Sequence, residues 1–502
     1  MNFVRSKQGE VLAIIVIVVV AVLLRFNRLT VWPLSLDESY SLFGAEAGFD
    51  FIWHILPTYE THPPFYTAML RLWTLVAGTS VFGLRLSGIL LSLLTLPIIY
   101  FAAGDMAVLA RRSRNAVALP ALALAACLPI IVDMSRFVRP YSAMIFVYAL
   151  GTWTIVRLTL TQRESGNLKT GPWVIYLASL VLMIWLHNLG ALYVLSLVAG
   201  LLIGIGPLVL ARDHWRAFAL GHGIAFLAAL PALLILMDQA PTWTHSTWLA
   251  FDPKSLPVVV PVIFGMQGIF GILAATILVV AALMTRTRIS VALLILALLP
   301  IILSAIISMT IAPVFLVRTL AACAGPMLLL MALGANASLL TRAALIISCL
   351  FGGLRTYQIQ QLKPDQDWKG CALWLIARAG PQDMIYAYPN EGALPLRYAL
   401  RDAGKALPIR DIPSGIPAHD PSGWYPTGSR GVQSLPPARL KEIAADAVTK
   451  TTPTIWLLRY NTRFYDKGDS FLHIMERNRK VVGHFVYRDI DVVGLAQTPP
   501  TQ

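Results

Sequence analysis

Long apolar blocks, each ended by a short polar or basic interruption, recur along most of the chain. VLAIIVIVVVAVLL (11–24) is the first, and comparable blocks cover 84–104, 116–132, 141–160, 173–185, 191–210, 217–236, 256–284, 289–309, 320–333 and 343–354. A helix needs about 20 mostly apolar residues to cross a bilayer, and only a helix or a closed barrel satisfies its own backbone there. The pattern therefore predicts a polytopic α-helical membrane protein of about 11 transmembrane helices. Arg5 and Lys7 precede the first block as they would in a signal peptide. No small-residue cleavage site follows before Arg25 and Phe26, so the block is expected to remain as the first span, ending near Arg25 and Arg28.

Basic residues in short loops mark the cytoplasmic side of such a protein. Arg111, Arg112 and Arg114, the stretches 161–169, 211–216 and 285–288, and Arg342 all fall on one side provided that PFYTAMLRLWTLVAG (64–78) does not cross. That stretch has the length of an interfacial helix and carries Arg71 in its middle. Residues 29–83 then form a first outer loop with juxtamembrane helices, and the C-terminus lies outside. Composition agrees: 57% of residues are hydrophobic and 13% charged, with mean hydropathy +0.68, far from a soluble domain. The net charge of +14 belongs to the cytoplasmic loops and not to a nucleic-acid surface, so membrane lipids, not nucleic acid, are the expected surroundings.

The character changes near residue 358, which divides the chain into a transmembrane domain (1–357) and a small α/β domain (358–502). Asp367 is placed to cap the helix WKGCALWLIARA, and DMIYAYP (383–389) reads as a strand. Helices are expected near 392–402, 438–446 and 469–476, a Pro-rich loop over 413–437, a strand at TIWLLRY (454–460), and a closing hairpin or long strand over 480–496. No Gly-rich loop opens any of these helices, so no nucleotide cofactor is indicated. Cys127, Cys323 and Cys349 lie in apolar blocks and Cys371 alone in a polar region; this is neither a disulfide framework nor a zinc spacing.

Polar side chains are costly near lipid and mark function where they gather. Four outer segments hold nearly all of them: SLDESY (35–40), ETHPPFY (60–66), DMSRFVRPY (133–141) and APVFLVRT (312–319). This set suits transfer from a phosphate-activated donor. A carboxylate in a partly dry site accepts the proton of an attacking hydroxyl or amine, and guanidinium forks neutralise a departing phosphate. Asp37 is the expected base with Glu38 beside it; Arg136, Arg139 and Arg318 are the expected phosphate ligands. Taken singly, each has a plainer role: adjacent carboxylates cap helices, arginines at span ends snorkel, and Pro starts helices. A metal role for His62 or His187 would need further ligands, and none is indicated by spacing.

LDESY, HPPFY, SRFVRPYSA, HNLGALY and VRTLAACAGP, in this order, resemble the polytopic glycosyltransferases of the C-type fold, in particular bacterial relatives of protein O-mannosyltransferases and lipid A aminoarabinose transferases. The resemblance extends to DWKGCALWLIARAGPQDMIYAYP at the start of the outer domain. It implies a cell inner membrane enzyme with a periplasmic C-terminal domain and a polyprenyl-phosphate-linked sugar as donor. It further implies an inverting displacement, Asp37 as general base or acceptor-orienting carboxylate, and Arg139 and Tyr141 beside the donor phosphate. His62, Tyr66, Arg85 and His187 are expected to line the substrate pocket. The family often carries an acidic residue in the third segment, where this chain has Phe137 and Val138 between Arg136 and Arg139; a carboxylate or metal role there does not carry over. The acceptor is a lipid, a glycan or a protein. Alternatives are a ligase of preassembled lipid-linked glycans and a non-catalytic transporter or binding scaffold. A transporter should place polar groups at mid-membrane depth and on both faces, whereas this chain concentrates them on one.

Overall fold

The computed structural model describes residues 2–58, 60, 62–246, 249–413, 435–462, 466 and 468–498. The first part of the chain is helical throughout: α1 (Asn2–Phe26), α2 (Leu36–Ala47), α3 (Phe65–Ala77), α4 (Val81–Leu109), α5 (Asn115–Cys127), α6 (Pro129–Met134), α7 (Tyr141–Ser165) and α8 (Thr170–Leu186). There follow α9 (Gly190–Ile205), α10 (Pro207–Asp213), α11 (Trp215–Ser246), α12 (Leu256–Ile263), α13 (Gly268–Leu283), α14 (Arg288–Thr310), α15 (Ala324–Gly334) and α16 (Leu339–Gln361). A 3₁₀ turn, Val317–Cys323, leads into α15. Among the described residues seven helices are long and apolar enough to cross a membrane, or nine when the bent pairs α9–α10 and α12–α13 each count as one span. The eleven segments expected from sequence are reached only by adding α5 and α8, of 13 and 17 residues.

The loops rich in arginine gather at one end of the bundle. Arg112 Nη1 donates to Leu333 O at 2.9 Å, Asn336 Nδ2 to Ala116 O at 2.5 Å and Arg288 Nη1 to Ile205 O at 3.2 Å. The first turns of α1 join them, since Glu10 accepts from Tyr100 and Asn115, each at 2.7 Å. At the opposite end α3 folds back on the start of α4, where Trp73 Nε1 donates to Gly83 O at 2.8 Å. Both ends of α3 therefore lie on the side away from the basic loops, as the charge pattern requires of a helix that does not cross.

Arg25 departs from the expectation of a residue at a span end. It is fully buried, because the neighbouring helix is broken. Pro129 has no N–H and leaves Ala125 O without its helical donor. Arg25 Nη2 reaches that carbonyl at 3.3 Å, its Nη1 reaches Ala126 O at 3.2 Å, and Thr356 Oγ1 donates to Cys127 O at 3.0 Å. A cation at the C-terminal end of α5 also suits the negative pole of that helix. Side chains from α1 and α16 thus complete the hydrogen bonding of a kink that lets α6 turn toward the polar end.

The C-terminal unit contains α17 (Trp368–Ile376), β1 (Met384–Ala387), α18 (Ala393–Asp402), β2 (Ile409–Asp411), α19 (Pro437–Ala445), α20 (Ala447–Thr451), β3 (Thr454–Tyr460), α21 (Ser470–Glu476), β4 (Arg479–Tyr487) and β5 (Ile490–Gln497). The sheet order is β2-β1-β3-β5-β4, parallel over its first three strands and antiparallel over its last three. Asp367 caps α17 as expected, its Oδ1 accepting from Gly370 N at 2.9 Å. Strand β2 was not expected, and most of the expected Pro-rich loop lies outside the described residues. This unit rests on α2. Gln366 Oε1 accepts from Leu36 N at 2.7 Å, and Glu46 Oε2 and Oε1 accept from Tyr398 Oη at 2.9 Å and Arg401 Nη1 at 2.7 Å.

Candidate active site

Helix α2 begins with S-x-x-E, and the capping box that this pattern allows is formed. Ser35 Oγ accepts from Glu38 N at 3.4 Å and Glu38 Oε2 from Ser35 N at 2.9 Å. Glu38 is buried and does more than cap: Oε1 accepts from Arg85 Nε and Val138 N, each at 3.2 Å, and Oε2 from Arg85 Nη2 at 3.2 Å. Arg85 spends its other donors on Leu29 O, Trp32 O and Pro33 O. All five of its N–H groups are engaged, which locks the chain leaving α1, the first turn of α2, the start of α4 and the 135–140 segment together. A close approach also fixes that segment, because a Cβ on Gly88 would meet Ser135 O at 2.5 Å.

Asp37 lies about 100° further round the helix and faces a different neighbour. Arg318 Nη2 stands 2.9 Å from Asp37 Oδ2, with both side chains about 30% exposed. Arg139 is half-buried beside them and donates from Nη1 to Ser41 Oγ at 3.3 Å. Burial works against its charge, but the Glu60 and Asp37 carboxylates outweigh it and hold the guanidinium above its ordinary range. Tyr66, at the start of α3, and Tyr141, at the start of α7, are among the groups facing Arg139.

His187 and His62 close the cluster, their ring centroids 4.2 Å apart, with Tyr141 6.3 Å from His187. The tight reversal between α8 and α9 fixes His187: Leu189 N donates to its Nδ1 at 3.0 Å, and a Cβ on Gly190 would meet Met183 O at 2.0 Å. Burial, reinforced by Arg139 and Arg318, lowers His187 to about 3. Burial, then His187, Arg139 and Arg318, holds His62 well below its usual range. Both rings are neutral at pH 7. Four nitrogens in this cluster are buried without a hydrogen-bond partner: Arg139 Nε, Arg318 Nε, His187 Nε2 and His62 Nδ1. Buried polar groups are rarely left so, and here they accumulate beside a carboxylate.

Of the residues expected from sequence, the structure brings together Asp37, His62, Tyr66, Arg139, Tyr141, His187 and Arg318. Glu38 and Arg85 are turned toward each other beneath them. Arg136 stands apart: its Nη2 donates to Arg28 O at 3.0 Å, and its charged neighbours are Asp133, Arg85, Arg28 and Glu38. It faces away because Val138, whose N–H is bound by Glu38, separates it from Arg139. Glu60 was missed, although it stands in the same motif as His62. The C-terminal unit contributes too, since Gln366 links Leu36 N to Tyr460 Oη, the latter at 2.8 Å from Gln366 Nε2. Among the described residues no group of three or more His, Cys, Asp and Glu side chains is placed to hold a metal ion.

No family model and no curated protein matches the sequence. Solved structures do match it. ArnT from Cupriavidus metallidurans in the apo state superposes with a TM-score of 0.66 at 15% identity, over 97% of this chain and 98% of ArnT. The same protein bound to undecaprenyl phosphate gives 0.60 with the same identity and coverage. This chain has the C-type glycosyltransferase fold. The apo oligosaccharyltransferase of Archaeoglobus fulgidus shares it at a TM-score of 0.51 and 12% identity, over 98% of this chain and 75% of that one. A C-type fold of this length accounts for the polytopic bundle, the helices of the first loop beside it and the C-terminal α/β unit as one architecture.

Proposed function

We propose that this protein transfers a sugar from a polyprenyl-phosphate-linked donor to an acceptor at the periplasmic face of the inner membrane, with inversion. The observation that carries this reading is the gathering of Arg139 and Arg318, each with a buried Nε–H that has no partner, beside Asp37 at the end of the bundle away from the basic loops. The determination of ArnT with undecaprenyl phosphate bound supports a lipid phosphate as the ligand. In the proposed reaction Asp37 takes the proton of the acceptor hydroxyl or amine as that atom bonds to the anomeric carbon. The bond from that carbon to the phosphate oxygen breaks, and polyprenyl phosphate leaves with the electron pair, its charge met by Arg139 and Arg318. Arg318, paired to one oxygen of Asp37, holds the carboxylate in place. Glu38 and Arg85 position the helix that carries it.

The test is a pair of variants assayed with a lipid-linked sugar donor in nanodiscs. Asp37→Asn is expected to lower turnover by roughly 10²- to 10⁴-fold, the usual cost of losing a general base, while donor binding persists. Arg139→Lys keeps the charge and loses the fork, so it should weaken donor binding. Wild-type turnover in Asp37→Asn would remove Asp37 from the reaction. Mass spectrometry of envelope glycans and glycolipids with and without the protein would name the sugar and the acceptor.

A further inference from the structure

We propose that the bundle carries a lipid site separate from the candidate active site: a cavity between α13, α15 and α16 that takes an anionic phospholipid, its phosphate at Arg355 and an acyl chain along α16.

Two broken helices make the cavity. Leu128 stands at the break between α5 and α6, and residues 264–267 form the break between α12 and α13, whose axes differ by 72°. Gly265 has a left-handed φ of 67°, and a Cβ there would meet Leu128 Cγ at 2.8 Å, so the two breaks are seated on each other. The hollow beside them measures about 540 Å³, within the ~300–1,000 Å³ typical of small-molecule pockets. None of the residues gathered around Asp37 lines it.

Its depth matches one leaflet. From Ser348 to Gln358 it follows α16 for roughly 15 Å at 1.5 Å per residue, half of a hydrocarbon core about 30 Å thick. The Gln358 end is the outer one, because Gln360 Nε2 donates to Leu24 O at 2.6 Å and Arg28 Nη1 to Gln361 Oε1 at 2.9 Å, both at the end of α1. Phe351 and Leu354 line the cavity and are 40% and 53% exposed, so it opens on the lipid-facing surface of the bundle.

The chemistry of the mouth selects the headgroup. Arg355 donates to Gln267 Oε1 and to Gln358 Oε1, the latter at 3.4 Å. A guanidinium accepts nothing, so both amides turn their oxygens to it and keep their NH₂ groups for another partner. The lining contains no Asp or Glu, which leaves the positive charge beside neutral oxygens. A guanidinium flanked by amide donors suits the oxygens of a phosphodiester. Phosphatidylglycerol brings that group with no cation of its own. The ammonium of phosphatidylethanolamine would add a second positive charge where the lining holds no carboxylate to meet it.

Native mass spectrometry of the delipidated full chain, titrated with phosphatidylglycerol, phosphatidylethanolamine and polyprenyl phosphate, tests the proposal in wild type and two variants. Arg355→Gln removes the charge. Gly271→Leu fills the hollow from α13, where the nearest atom to an added Cβ is 3.6 Å away. Wild type should bind phosphatidylglycerol more tightly than phosphatidylethanolamine. Arg355→Gln should lose about 10- to 100-fold in phosphatidylglycerol affinity, the scale of one charge-assisted hydrogen bond, and with it the preference between the two lipids. Gly271→Leu should weaken both lipids, and neither variant should change polyprenyl phosphate binding. Equal wild-type affinity for the two phospholipids, or undiminished phosphatidylglycerol binding in either folded variant, would overturn the site. A parallel loss of polyprenyl phosphate in both variants would make the cavity part of the donor path and end its standing as a separate site.

Discussion

Glu38 and Asp37 are neighbours in sequence with opposite environments, and replacing each carboxylate by its amide should separate their roles. In Glu38→Gln one carboxylate oxygen becomes an NH₂ group. Each oxygen of Glu38 now accepts two bonds, Oε1 from Arg85 Nε and Val138 N, Oε2 from Arg85 Nη2 and Ser35 N. Whichever way the amide is turned, two of the four are replaced by donors facing donors. One of the two always comes from Arg85, which stays charged at 6% side-chain exposure. Removing one partner of a buried, hydrogen-bonded pair costs about 3–5 kcal/mol. Asp37 has a half-open partner in Arg318, and losing such a pair costs about 0–1 kcal/mol. The assay is thermal unfolding in nanodiscs alongside turnover. Glu38→Gln should unfold several degrees below wild type and lose activity because the first turn of α2 loosens, whereas Asp37→Asn should lose activity at a nearly unchanged midpoint. A Glu38→Gln protein that unfolds like wild type yet turns over no substrate would refute the anchoring argument and make Glu38 a participant in the reaction.

Gly190→Ala should open the reversal between α8 and α9, since the added carbon would lie 2.0 Å from Met183 O; polyprenyl phosphate titrations should show affinity falling with His187 displaced, and unchanged affinity would contradict the tight turn. Thr356→Val keeps the shape of the side chain but strips Cys127 O of its donor, so chemical or thermal unfolding should report a loss of about 1–3 kcal/mol. Stability should also fall on acidification. His62 and His187 are held neutral in the fold, so the unfolded chain binds their protons first as pH drops below the ordinary value of 6.5. Their contribution is complete above that pH and is lost toward about 3 for His187, by up to ~1.4 kcal/mol per unit for each ring. Midpoints measured from pH 7.5 to pH 4.5 should decline through this window, and less so in His187→Gln.

What could be read from sequence was what short-range chemistry decides. Apolar block lengths located the helices, and the basic loops placed α3 at the end of the bundle away from them. Asp367 announced α17 through its capping group, and the strand expected at 454–460 is β3 residue for residue. What could not be read was set by distant partners. Arg85 meets Glu38 across 47 positions, and nothing local distinguishes the buried anchor Glu38 from the partly open Asp37 beside it. Arg25 marked only a span end in sequence, because the carbonyl that Pro129 leaves free for it lies on another helix. Arg136 and Arg139 stand three apart in one non-helical segment, yet one reaches Arg28 O and the other Ser41 Oγ. Strand β2 has three residues, too short to show alternation, and exists because it pairs with β1.

The drop in hydrophobicity near residue 358 is a boundary of composition, not of mechanics. Helix α2, which carries Asp37, is gripped near its start through Leu36 and near its end through Glu46, and both grips belong to residues beyond that boundary. Tyr398 and Arg401, which hold Glu46, are separated from Asp37 by one helix of twelve residues. Separation along the sequence is therefore no measure of separation from Asp37.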